Sequence, residues 1–215
     1  MADFQSRYLV VEGPIGVGKT SLAARLAETF DGELLLEKAE DNPFLERFYR
    51  DPRHFALPTQ LSFLFQRARQ LQRLRQGDIF QPTRVADFLL DKDRLFARLN
   101  LADDELTLYE QVFQHLTLDA PLPDLVVYLQ APVEVLAQRI ARRGIGYERF
   151  IQDDYLERIA EAYARFFHHY SSTPLLIVNA TDINPLESHE DYAALVREIG
   201  RVKSGRHYFN PAPVR

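Results

Sequence analysis

Between the apolar run YLVV and the amphipathic run LAARLAETF stands the stretch EGPIGVGKTS, Glu12 to Ser21. Within it, Gly13-x-x-x-x-Gly18-Lys19-Thr20 has the spacing of a phosphate-binding loop, and the context fits: a strand before, a helix after. Glycines let successive backbone N–H groups turn inward around a polyphosphate. The helix N-terminus adds unpaired donors and a partial positive charge. Lys19 has the reach for β- and γ-phosphates, and Thr20 offers a hydroxyl to Mg²⁺. Gly13, Pro14, Ile15, Gly16, Val17, Gly18, Lys19, Thr20 and Ser21 are therefore the expected triphosphate cradle. A chance glycine-rich turn would give this pattern in about one chain of this length in a hundred.

The rest of the chain alternates short aliphatic runs with longer helical patterns. Tyr8–Val11 predicts the first strand, and Thr20–Phe30 a helix with Leu22, Leu26 and Phe30 on one face. Gly32–Glu37, Thr83–Phe88, Asp124–Gln130 and the run PLLIV predict four more strands. Asn42 reads as the N-cap, and Pro43 as the first residue, of a short helix. Longer helices are expected at Leu57–Leu74, Leu101–Leu118, Val133–Arg143, Tyr155–Tyr170 and Asp191–Val202. Gly144–Phe150 breaks the pattern and reads as mobile; the tail from Ser204 reads as irregular. Such alternation predicts an α/β fold of the P-loop NTPase kind, with three layers and a five-stranded parallel sheet flanked by helices. At 215 residues the chain is expected to be one domain, with at most a lid or insertion.

Composition narrows the partners. A net charge of −5 argues against nonspecific binding of nucleic-acid polymers. There is no cysteine, so disulfides and thiolate metal sites are excluded, which suits a reducing cytoplasm. The first residues, MADFQSRYLV, lack the basic-then-apolar pattern of a signal peptide. No apolar run approaches the roughly 18 residues of a membrane span. The six histidines show no metal-ligand spacing.

What receives the γ-phosphoryl group is decided by what is missing. A GTPase switch needs Asp-x-x-Gly and Asn-Lys-x-Asp, and the chain has neither. A motor ATPase would end an apolar strand in Asp-Glu; here the third strand ends in Ala86-Asp87-Phe88. A kinase remains. It needs a carboxylate near the acceptor hydroxyl and arginines over the transferring group. Glu37 and Asp87 end the second and third expected strands, on the side where ligands bind in such sheets, and either is suited to accept a proton or hold Mg²⁺. Arg139 and Arg143 are one helical turn apart at a helix end followed by Gly144, placed to meet γ-phosphate oxygens.

The order of these motifs resembles the deoxynucleoside kinase family, especially its bacterial deoxyguanosine/deoxyadenosine kinase branch, from about Tyr8 to Val178. EGPIGVGKT resembles its phosphate loop, LLEKAEDNPFLERFY the segment after its second strand, and VADFLLDKDRLFA its strand-end acid segment. RIARRGIGYER followed by DDYLE resembles its arginine lid and the next helix, here about 139–150. The resemblance implies ATP with Mg²⁺ as donor, Thr20 and Asp87 at the metal, and a deoxyribonucleoside acceptor whose 5′-hydroxyl meets Glu37. It implies that Tyr49 and Glu148 share the 3′-hydroxyl, that Gln60 contacts the base edge, and that Arg67 with Asp93 reads a second edge. Deoxyadenosine and deoxyguanosine are the favoured bases, and deoxycytidine stays open. The family also implies a homodimer through long helices, for which Leu57–Leu74 and Leu101–Leu118 are rich enough in apolar residues.

The sequence departs from the family at two places. The usual Arg-Ser after the acid is Phe88-Leu89, with Lys92 as a nearby substitute cation. The usual Arg-Gly-Arg of the lid is Arg143-Gly144-Ile145, with Arg149 close by. Two rival readings follow: a nucleoside monophosphate kinase, or a nucleotide-sensing protein without turnover.

Overall fold

The computed structural model describes residues 8–75, 83–117, 120–181 and 188–210. Leu118, at the end of one expected helix, lies outside them, as do residues 1–7 and 211–215 of the two termini.

Six strands form one sheet: β1 (Tyr8–Glu12), β2 (Glu33–Leu35), β3 (Arg84–Ala86), β4 (Leu125–Gln130), β5 (Leu175–Asn179) and β6 (Arg206–Phe209). Their order across the sheet is β2-β3-β1-β4-β5-β6, and every neighbouring pair is parallel. The expected parallel α/β sheet is present with one strand more than the five read from sequence. The extra strand comes from the tail: RHYF alternates side chains as a strand does, but it is short and charged, and it gains its structure only by pairing with β5.

Alternation within the strands feeds two cores. Leu9, Val11, Val127 and Val178 face helices α1 (Lys19–Thr29), α6 (Val133–Arg143) and α8 (His189–Arg201) through Leu22, Leu26, Leu136 and Leu195. Tyr8, Val10, Val126 and Ile177 face the other way, onto Ile159, Tyr163 and Phe167 of α7 (Asp153–His169). Each such side chain buried contributes about 1.5–3 kcal/mol relative to exposure, so the two-sided burial fixes the strand register.

Helices α2 (Leu45–Arg50), α3 (Pro52–Arg75), α4 (Lys92–Asn100) and α5 (Asp103–Thr117) build the wall beside β2 and β3. Helix α3 starts earlier than its apolar run suggests, and α4 has no counterpart among the sequence-based elements. Asn42 does not cap at Pro43. Its Oδ1 accepts the Phe44 N–H at 3.1 Å and its amide donates to the Thr59 carbonyl, so it ties a turn to α3, and the helix begins at Leu45.

The strand order reverses beside β1, because the chain runs out to β2 and β3 on one side and then to β4, β5 and β6 on the other. The carboxyl ends of β2, β3 and β1 thus lie side by side, and the crevice outside them is where such sheets bind ligands.

Candidate active site

The phosphate loop needs its glycines for packing as much as for ligand access. A Cβ on Gly13 would stand 2.5 Å from the Leu129 carbonyl oxygen. Gly16, at φ +84°, would put a Cβ 2.8 Å from both the Leu136 carbonyl and the Ile140 side chain. The loop is therefore pressed against β4 and α6, with the Gly13 N–H donated to the Glu12 carboxylate at 2.9 Å and the Val17 N–H to the Pro14 carbonyl at 3.3 Å. Lys19 Nζ donates to the carbonyls of Gly13 and Pro14, at 2.8 and 3.1 Å, which folds the side chain back over the loop. Burial, and next the charge of Lys92, lower the Lys19 ammonium to about 8.

Three carboxylates follow from the three adjacent strand ends. Glu12 closes β1, Glu37 lies two residues beyond β2, and Asp87 follows β3 directly. Both expected strands that supplied Glu37 and Asp87 end earlier than read, because the chain turns into the cleft there. Asp87 Oδ2 accepts the Thr20 hydroxyl at 2.5 Å, and its Oδ1 accepts the Glu37 N–H at 2.6 Å. Burial raises the Asp87 carboxyl, and the Thr20 hydrogen bond opposes that.

The backbone around Glu37 is pinned from α3 as well. Gln66 donates to the Lys38 carbonyl and Gln70, one turn on, to the Leu36 carbonyl. The carboxylate itself sits between two cations. Arg67 Nη2 is 2.6 Å from Oε1, and Lys92 Nζ is 2.7 Å from Oε2. Burial pushes Glu37 up, but Arg67 and Lys92 outweigh it and hold the carboxyl well below the usual carboxylate range. On its far side Arg67 pairs with Asp93, which is fully buried behind it.

These groups line a cleft of about 400 Å³. Lys19, Thr20 and Ser21 of the phosphate loop line it together with Glu37, Asp87 and Lys92, and so do Gln60, Arg67, Phe63 and Phe96. Gln60 is 3 % exposed, and its amide has no hydrogen-bond partner among the described residues. Tyr49 and Glu148 both line the cleft, and the Tyr49 ring stacks on Tyr147 at 6.1 Å. Burial raises the Tyr49 phenol well above its ordinary value, with nearby Tyr155 and Glu148 adding to that, so it stays a hydrogen-bond donor at neutral pH.

The two arginines of α6 part company. Arg143 lines the cleft and forms a two-armed ion pair with Glu148. Arg139 does not line it: its guanidinium donates to the carbonyls of Val17 and Ala180, at 3.2 and 2.8 Å. Asp93 likewise touches the cleft only through Arg67.

Sequence reasoning gave no role to Glu12 or Thr59. Glu12 is the last residue of an otherwise apolar strand and fully buried, and a charge in that position was a readable signal. Thr59 is 1 % exposed and lines the cleft, and its hydroxyl has no hydrogen-bond partner among the described residues. Nothing in its helical context marks it.

A family model for deoxynucleoside kinase matches residues 9–202. Deoxyguanosine kinase of Bacillus subtilis is 34 % identical over 161 residues, which cover 73 % of this chain and 76 % of that one. A deoxyadenosine kinase of Lactobacillus acidophilus is 26 % identical over 205 residues, covering 89 % and 94 %. The solved structure of deoxyadenosine kinase from M. mycoides with bound dATP shares the fold: TM-score 0.76, 22 % identity, 89 % of this chain and 98 % of that one covered.

Proposed function

The chain belongs to the deoxynucleoside kinase family, and from that premise we propose that it moves the γ-phosphoryl group of ATP onto the 5′-hydroxyl of a deoxyribonucleoside, with deoxyadenosine and deoxyguanosine favoured. The observation that carries this is Glu37: a half-buried carboxylate, clamped by two cations, in one cleft with Lys19 and Thr20 of the phosphate loop.

Lys19 and the loop N–H groups hold the donor. Glu37 accepts or orients the hydroxyl proton; its low affinity for protons suits a loose phosphoryl transfer, in which the proton leaves late. Tyr49 and Glu148 receive the 3′-hydroxyl, Gln60 the base edge, and Arg67, backed by Asp93, a second edge. The aromatic wall of Phe63 and Phe96 encloses the base. Arg143 covers the γ-phosphate after leaving Glu148. Arg139 joins it only by giving up its two carbonyls, so closure of the segment 139–150 is the lid motion we assign. Gly144, at φ +70°, ends α6 at that lid, and neither it nor Gly146 is packed against anything within 4 Å of a Cβ.

Thr20 and Asp87 fit Mg²⁺ arriving with ATP. Their oxygens are hard donors beside Lys19, and among the described residues no cluster of three or more His, Cys, Asp or Glu forms a cage of its own. Such a site leaves most of the coordination shell to phosphate and water. When bound, the ion offsets phosphate charge.

We place the protein in the cytoplasm, in nucleoside salvage, because its donor and acceptor meet there. Among the described residues no helix is long and apolar enough to cross a membrane. Exposed Phe65 on α3 and Leu108 on α5 support a homodimer through these helices, which sedimentation would test.

The deciding experiment is ADP release by the purified chain with Mg²⁺ and ATP, against a panel of deoxynucleosides and monophosphates. Turnover with deoxyadenosine or deoxyguanosine is expected. Turnover with monophosphates alone, or none at all, overturns the assignment.

A further inference from the structure

Glu12 and Lys92 take no part in the reaction as set out above, yet both are buried within it. Glu12 is fixed from three sides: it accepts the Gly13 N–H at 2.9 Å, the Tyr163 hydroxyl at 2.9 Å and the Leu89 N–H at 2.7 Å. Lys92 Nζ lies 3.6 Å from Glu12 Oε2 and 2.7 Å from Glu37 Oε2, with its side chain 4 % exposed. A buried ammonium is costly unless it is paired, and this one is paired with one rigid carboxylate and one that faces the cleft. Phe88 and Leu89, directly after the strand-end acid, are buried in the apolar core and carry no charge to the cleft.

We propose that Lys92, anchored by Glu12, is a positioning residue of the transfer: from α4 it aims the Glu37 carboxylate and supplies the positive charge that the strand-end pair Phe88-Leu89 does not. This rests on the kinase reading above. In the step, the acceptor's 5′-oxygen forms a bond to Pγ, and the bond from Pγ to the β,γ-bridging oxygen breaks. ADP leaves with that electron pair. The hydroxyl proton passes to Glu37 and then to solvent as product leaves, and Lys92 exchanges no proton. Its need is electrostatic. Four carboxylates lie in the cleft wall (Glu37, Asp87) or directly behind it (Glu12, Asp93), against three cations (Lys19, Arg67, Lys92). Removing Lys92 leaves two carboxylates uncompensated beside a polyanion, and Glu37 held from one side only.

The test uses the full chain with Lys92→Met, Lys92→Arg and Glu12→Gln. For Lys92→Met, kcat with deoxyadenosine is expected to fall roughly 100-fold or more while KM changes by less than about fivefold. Lys92→Arg should recover part of that loss, and Glu12→Gln should lower kcat in the same direction. If Lys92→Met does not fold, Glu12→Gln with Lys92→Met leaves no buried charge of this pair unpaired and is expected to show the same loss of kcat. A Lys92→Met enzyme within about threefold of wild-type kcat, or one whose loss lies in KM and not in kcat, overturns the inference and leaves the kinase reading intact. A wild-type chain that phosphorylates no nucleoside overturns the kinase reading and the inference with it.

Discussion

Arg67 Nη2 stands 2.6 Å from Glu37 Oε1, and the two side chains are 4 % and 15 % exposed. One guanidinium thus touches the carboxylate assigned to the acceptor hydroxyl and itself lines the part of the cleft assigned to the base, with Asp93 behind it. On the proposed assignment, one ion-pair network joins the group that reads the base to the group that prepares the hydroxyl. Its members are expected to respond together when any one is changed.

Glu37→Gln keeps the shape of the side chain and removes its charge. We expect kcat to fall by roughly 10²–10⁴-fold, measured by ADP release with saturating deoxyadenosine. Near-wild-type turnover would transfer the role to Asp87. The variant also carries a stability signature. Glu37 titrates below its unfolded value of 4.5, so the wild-type charge stabilises the fold above that pH, and this advantage fades as pH falls through the depressed folded value. Urea midpoints of wild type and variant should therefore be furthest apart near neutrality and converge in acid.

Asp93 is fully buried and reaches the cleft only by way of Arg67. Asp93→Ala leaves the guanidinium with Glu37 alone. Removing one member of a buried pair costs about 3 kcal/mol or more, and this should appear as a lower urea midpoint at unchanged slope. A change under about 1 kcal/mol would mean that the pair is dispensable for folding.

Tyr49 and Glu148 meet the same end of the cleft from different elements, α2 and the turn after α6. If they share the 3′-hydroxyl, Tyr49→Phe should lower kcat/KM for deoxyadenosine by roughly 10-fold. It should have little effect on 2′,3′-dideoxyadenosine, which has no group to lose. Equal losses on both substrates would show that Tyr49 acts by packing against Tyr147.

The phosphate loop was legible from Gly13 to Thr20 because its chemistry is local: strand, turn and helix are contiguous. Glu37 and Asp87 were legible as strand-end acids. Glu37's two cations were not, since Arg67 and Lys92 come from helices far along the chain and only folding brings them together. Helix α4 was hidden because its LLDKDRLFARLN run reads as a continuation of the strand-end segment, and β6 because four residues that open on an arginine and a histidine give too weak an alternation. Arg139 and Arg143 share a helix face by spacing, yet point to different partners. Spacing fixes the Cβ direction, whereas long guanidinium side chains settle where carbonyls or carboxylates await them.

Two glycines of the donor side separate backbone strain from mere proximity to the site. Gly16→Ala meets both a left-handed φ and a carbonyl at 2.8 Å, and should cost about 1–3 kcal/mol together with ATP binding. Gly146→Ala meets nothing within 4 Å and should change stability by less than about 0.5 kcal/mol. Thermal melts with and without ATP check both. A tolerated Gly16→Ala would show that the loop can move away from α6.

Lys19 supplies the alkaline limit of donor binding. In the folded chain burial, followed by Lys92, brings its ammonium to about 8 from an unfolded 10.5. Between those values the unfolded chain holds more protons than the folded one, so stability rises with pH across that window. Function runs the opposite way. A triphosphate needs the charged ammonium, so kcat/KM for ATP should fall above about pH 8, and ATP binding there should take up a proton. Calorimetry in two buffers of different ionisation enthalpy measures that uptake directly. Lys19→Ala should abolish it and lower kcat/KM by roughly 10²–10³-fold, while a cooperative melt at pH 7 is retained. Proton uptake unchanged in Lys19→Ala would place the titrating group elsewhere, and the folded-back ammonium over Gly13 and Pro14 would then be a strut of the loop and not its ligand-binding charge.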